Sequence, residues 1–181
     1  MARLTIDGYG QLELNNVAFR RDGRIEAQCK PAAALASAVL ENGMLLAVDN
    51  ATRTVTYATD SSLPIALHYS AEHLYDERYP GLKNWYLKGS DDFLPRLGYL
   101  AVGDKFTTNC ISYSTSEFAT TTALNSALDA LATSPLYGGV SNDGSIAIAT
   151  SAPTFGPVLR AVQKTTMPDG QLGLKFQVYQ A

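Results

Sequence analysis

Charge is scarce in this sequence. Lys and Arg number 14 and Asp and Glu 17 among 181 residues, so charged residues make up 17% of the chain and the net charge is −3. A typical soluble domain carries about 25%. The few cations form no phosphate-neutralising face, which argues against nucleic acid as a direct partner. Cysteine is nearly absent too. Cys29 and Cys110 lie far apart and outside any Cys-x-x-Cys spacing, and both are expected as free thiols in a reducing compartment. Long apolar runs are missing. The most apolar stretch, Ala32 to Leu40, is mostly alanine and about half the length a bilayer span requires. Met1–Asp7 lacks the apolar core of a secretory signal, so no membrane association is expected.

What remains is nevertheless foldable. Hydrophobic residues make up 46% of the chain, which excludes the low-hydrophobicity, high-charge composition of disorder. The length suits one domain, or one domain with an arm.

Strand signals dominate the pattern. Leu12-Glu13-Leu14 alternates, Val17-Ala18-Phe19 runs into Asp22-Gly23, and Ile25 to Cys29 alternates again beyond it. That order predicts a hairpin, or an extended arm, over residues 1–31. Residues 32–181 then form a single β-rich domain. Within it, strands are predicted at 44–48, 54–57, 65–69, 99–102, 105–111, 145–149, 158–163 and 172–179. The last places Leu172, Leu174, Phe176 and Val178 on one face at period two. Helical turns are predicted over Ala32–Leu40, over Ala71–Arg78 after a Ser70 cap, and around Leu124, Leu128 and Leu131 ahead of Ser134-Pro135. Residues 79–98 read as an irregular loop packed by aromatics, and 112–157 as a Ser/Thr-rich insertion. The fold class is therefore all-β, a mainly antiparallel barrel or sandwich with short helical insertions and an N-terminal hairpin or arm.

Chemistry is harder to find. His68 and His73, with Glu72 and Asp76 nearby, have ligand chemistry, but the first belongs to a strand and the second to the following helix, so no metal site is expected. No Gly-x-Ser-x-Gly motif is present, and neither cysteine carries the signature of an activated thiol. Asp91-Asp92 is better suited to capping a turn than to holding calcium, whose loops space their acids alternately. Gly138-Gly139 and Gly8-Tyr9-Gly10 lack the context of a phosphate loop and read as turns. No catalytic residue, cofactor or metal is therefore assigned, and the chain is expected not to be an enzyme.

Contact residues are easier to nominate. Arg20, Arg21 and Arg24 form the one dense basic cluster, beside Phe19. Two readings stand for it: a solvated hairpin tip, or an arm whose guanidinium forks pair with acids on a partner. Trp85 and Tyr86, with Tyr79, either pack their own loop or stack on sugar rings. The charge deficit itself is local. From Ile111 to Leu159 there is no Lys or Arg, and the acids are Glu117, Asp129 and Asp143 alone. Those three account for the whole net charge, and the stretch becomes a second candidate interface.

Three segments occur together in a familiar order: Asn42-Gly43-Met44-Leu45-Leu46-Ala47-Val48, Ser70 to Glu77, and Leu100 to Asn109 with its Gly103-Asp104 turn. Followed by a closing hydrophobic strand from Asp169-Gly170 to Val178, they resemble small virion proteins of tailed bacteriophages infecting Firmicutes-type hosts. The resemblance implies a head decoration or cement role on the capsid surface, after a period in the host cytoplasm. The implied partners are the phage major capsid protein and further copies of the chain. A tail or neck component, and a glycan-binding module built on the loop around Trp85, are the alternatives.

Overall fold

The computed structural model describes residues 1–70, 83–90 and 94–181. The helix expected over 71–78, His73, Tyr79 and the Asp91-Asp92 pair lie outside them. Among the described residues strand is the dominant regular structure, arranged as two principal sheets and one small one, with short helical insertions.

The larger sheet holds β1 (Ala2–Arg3), β2 (Leu12–Asn16), β11 (Lys105–Thr108), β12 (Ile111–Tyr113), β13 (Tyr137–Val140), β14 (Ile146–Ala149), β15 (Val158–Thr166) and β16 (Leu172–Gln180). Their spatial order is β1-β12-β14-β13-β15-β16-β11-β2. The second sheet orders β3 (Ile25–Glu26), β10 (Leu97–Gly98), β8 (Ile65–His68), β6 (Leu45–Asp49), β7 (Thr54–Tyr57) and β4 (Lys30–Pro31). A two-stranded ribbon pairs β5 (Val39–Leu40) with β9 (Leu87–Lys88). Pairing is antiparallel throughout except for β12 with β14 and β4 with β7.

Period two decides which core each residue enters. Leu45 pairs with Leu67, and both join the main core with Phe106, Ile111, Leu159 and Phe176 of the larger sheet. Their neighbours Leu46 and Ala66 point the other way, into a second core with Leu35, Leu40, Val48, Val55 and Leu97. The second sheet is thus buried on both faces, which is why residues 45–48 are apolar without alternation. The β15–β16 hairpin follows its expected pattern, turning at Met167–Gly170. The helix around Leu124 also forms, as α2 (Thr121–Asp129), with Leu124 and Leu128 buried and the Thr120 hydroxyl accepting the Ala123 N–H at 3.1 Å.

The N-terminal thirty residues differ from the expectation. No hairpin or free arm forms there. β1 pairs with β12, β2 with β11, β3 with β10 and β4 with β7, so the segment is distributed across both sheets. Between β2 and β3 lies a short helix, α1 (Ala18–Asp22), whose first N–H, from Ala18, is taken by Asp104 Oδ1 at 2.8 Å. The Asp22-Gly23 signal does mark a reversal, but it ends a helix: Gly23 adopts φ +70°, open to glycine without strain.

Three smaller expectations are also corrected. Ala32–Leu40 forms one 3₁₀ turn (Ala33–Leu35) and then β5, because so short an alanine run cannot sustain a helix unaided. The strand expected at 99–102 pairs two residues earlier, at β10. Gly138 and Gly139 lie inside β13 rather than in a turn, since a Cβ at Gly138 would sit 2.8 Å from Ile146 and one at Gly139 2.6 Å from Pro153.

Candidate interaction surface

The helix α1 separates the residues that the sequence grouped. Phe19 is fully buried, its ring 4.9 Å from that of Tyr69 and lying over Gly98. It anchors the helix and cannot meet a partner, which corrects its nomination as a contact residue. The same turn that sends Phe19 inward leaves Arg20, Arg21 and Arg24 exposed. Arg21 bonds the neighbouring Asp22 at 2.8 Å. Arg24 is held by its backbone, whose carbonyl accepts the Tyr99 N–H at 3.0 Å. The three arginines are thus an exposed corner on a backbone that both sheets hold in place.

Trp85 and Tyr86 are half-buried and already occupied. Trp85 packs at the edge of the second core, 5.8 Å from the His68 ring, and Tyr86 lies 4.4 Å from Tyr9. Both rings spend surface on intramolecular packing.

The charge-poor stretch is organised by its three acids. Glu117 Oε2 accepts the Thr150 N–H at 2.8 Å and its hydroxyl at 3.0 Å. Asp129 pairs with Lys164 of β15 at 2.8 Å, tying α2 to the sheet. Asp143 accepts the Ser145 N–H at 3.0 Å and faces Arg3 at 3.6 Å. Burial alone would raise the Asp143 carboxyl, but its Ser145 and Ser141 hydrogen bonds and Arg3 hold it below the usual range. With its acids so engaged, this region presents hydroxyl and methyl groups, from residues such as Thr122, Ala123 and Ser126.

A polar junction that the sequence did not announce joins the two sheets. Arg3 bonds Glu41 at 2.9 Å and approaches Cys110 Sγ at 3.8 Å. His68 is fully buried with both ring nitrogens engaged: Nδ1 lies 2.8 Å from the Glu41 carbonyl and Nε2 2.8 Å from Ser70 Oγ. With Nδ1–H donating to that carbonyl, Nε2 accepts the Ser70 hydroxyl. Burial pushes the imidazole down from 6.5 to about 4, so it is neutral at physiological pH. Ser70 and His68 have the spacing of a nucleophile and its base, yet both are enclosed and Ser70 Oγ also accepts the Arg96 N–H at 2.8 Å. Burial likewise raises the Cys110 thiol, keeping it protonated beside Arg3. These groups serve as a tie between sheets. Contributed by positions 3, 41, 68, 70 and 110, they share no local spacing. Polar residues at the ends of otherwise apolar strands were the one available hint.

Among the described residues no group of three or more His, Cys, Asp or Glu is placed to hold a metal ion, and no helix is long and apolar enough to cross a membrane. Compared with known proteins, the chain matches no family model, no curated protein and no solved structure.

Proposed function

We propose that this chain is a non-enzymatic structural protein of a bacteriophage virion, a decoration or cement protein that binds the major capsid protein lattice and associates with further copies of itself. The observation that supports the reading is where the resembling segments meet. Asn42–Val48, Leu100–Asn109 and Asp169–Val178 are far apart in sequence. In the fold, β11 pairs with β16, and Gly43 packs so tightly against Thr108 and Cys110 that a Cβ there would lie 3.0 Å from Cys110 Cβ. They form one continuous frame joining both sheets. The likeness thus lies in the scaffold; the fourth segment, beyond Ser70, falls outside the described residues.

Two surfaces suit attachment to a repeating lattice: the arginine corner and the hydroxyl-rich face of residues 111–159. Many modest contacts repeated across a lattice multiply into firm binding. Guanidinium forks favour acidic groups on the capsid protein, and the charge-poor face, whose acids are Glu117, Asp129 and Asp143 with the last two paired to Lys164 and Arg3, leaves little like charge to oppose a neighbouring copy. Neither contact requires a cofactor, nucleic acid or membrane.

The test is co-sedimentation of the purified chain with capsids that lack it. Saturable binding is expected, weakened about tenfold or more by the combined Arg20→Glu, Arg21→Glu and Arg24→Glu substitutions. Failure to sediment with capsids would overturn the proposal. Binding to isolated tails instead would favour the tail or neck alternative.

A further inference from the structure

One end of the sandwich carries a groove of about 550 Å³ to which both sheets contribute, a size within the about 300–1,000 Å³ usual for small-ligand sites. The loop before β8, the two residues after β10, the loop before β15 and the end of β16 enclose it. None of its lining side chains is charged. Phe155, half-buried, supplies aromatic surface, while Ser61, Thr154 and Gln180 supply exposed hydroxyl and amide groups; the Tyr99 ring packs on the second core.

The walls are rigid before any ligand arrives. Pro64, Pro153 and Pro157 line the groove and restrict its backbone. Gly156, at φ +72°, lets its loop press against Ile65 and Val140, where a Cβ would approach within 2.9 and 3.0 Å. Such preorganisation lowers the ordering cost of binding.

These features narrow the ligand class. An anion would lose its hydration without meeting a cationic side chain. A wholly apolar ligand would strip water from the hydroxyl and amide groups and give nothing back. Strand addition by a peptide has no free edge to use, because β15 is flanked by β13 and β16, and β8 by β6 and β10. A neutral molecule with an apolar ring face and a rim of hydroxyls satisfies every wall. We propose that this groove binds a neutral oligosaccharide, with a sugar ring on Phe155 and its hydroxyls on Ser61, Thr154 and Gln180. The site is distinct from the loop around Trp85, and the inference stands apart from the capsid reading.

The test is an amide-shift titration of the full chain by NMR. The probes are neutral oligosaccharides of glucose, galactose, mannose, xylose and N-acetylglucosamine, with an oligogalacturonate and a proline-rich decapeptide for comparison. At least one neutral oligosaccharide should shift the amides of Ser61, Tyr99, Thr154 and Phe155. Phe155→Ala should weaken that binding about tenfold or more. Thr154→Arg changes an exposed side chain, so the fold survives, and should do the same by filling and charging the groove; an unchanged melting temperature verifies the fold. No groove shift from any neutral sugar at about 10 mM, weaker than any useful affinity, would overturn the proposal. So would binding that survives both substitutions, or groove shifts from the decapeptide or oligogalacturonate alone.

Discussion

Acidification should weaken this fold through His68. The imidazole is held neutral by burial, with its proton affinity lowered from 6.5 to about 4, whereas in the unfolded chain it protonates normally. Between those two values the unfolded state binds a proton that the native state does not, so stability falls as the pH falls. Above 6.5 this contribution is fully present; below about 4 no more is lost from this group. At about 1.4 kcal/mol per tenfold step in proton affinity, the gap amounts to about 3 kcal/mol. That is a large share of the roughly 5–15 kcal/mol that holds a typical domain together. Urea unfolding of the wild type and His68→Gln across this pH range measures it. Carboxylates titrate in both proteins, so the difference between the two curves isolates the histidine. The wild type should lose about 3 kcal/mol more than the variant. An NMR titration of the native ring supplies a second reading, in which it stays neutral until about pH 4. Parallel unfolding curves, or a native ring titrating near its ordinary value, would show that burial does not hold His68 neutral.

Other outcomes follow from the packing. Deleting residues 1–31 removes Leu4, Leu12, Val17 and Phe19 from the main core, so the remainder should lose cooperative unfolding by circular dichroism; a cooperative fold without them would show that they form a dispensable arm. Phe19→Ala should cost about 3–5 kcal/mol in urea unfolding. Gly98→Ala should cost about 1–3 kcal/mol, because its Cβ would lie 2.5 Å from three carbons of the Phe19 ring. The double variant should lose less than the sum, since removing the ring removes the clash. Thr120→Ala should cost about 1 kcal/mol by leaving the Ala123 N–H uncapped, and amide exchange should rise first in α2.

Elements whose pattern is local were legible in the sequence. The β15–β16 hairpin shows its period-two face and its Pro-Asp-Gly turn within one stretch, and α2 shows its Leu124 and Leu128 stripe, although it ends at Asp129, before Leu131 and short of the expected Ser134-Pro135 stop. The two-residue strands β1, β4 and β10 show neither. Each is a strand only because a distant partner makes it one, as Ala2 and Arg3 are by pairing with Tyr113 and Ser112. The alternation across Val17 and Phe19 was a true sign of burial, realised on a helical turn instead of a strand. For the interaction surface, the arginines were legible as a cluster and their exposure follows. That Phe19 points away from them depends on Tyr69 and Gly98, far along the chain. The charge deficit between Ile111 and Leu159 was visible at once, but its meaning depended on Thr150, Ser145, Lys164 and Arg3 engaging the three acids.

Copy number in the particle separates lattice binding from every rarer virion role. Under the proposed capsid role, quantitative mass spectrometry of purified virions should find the chain at a small-integer ratio to the major capsid protein, as lattice binding requires. A ratio far below that, or absence from the particles, would contradict the account.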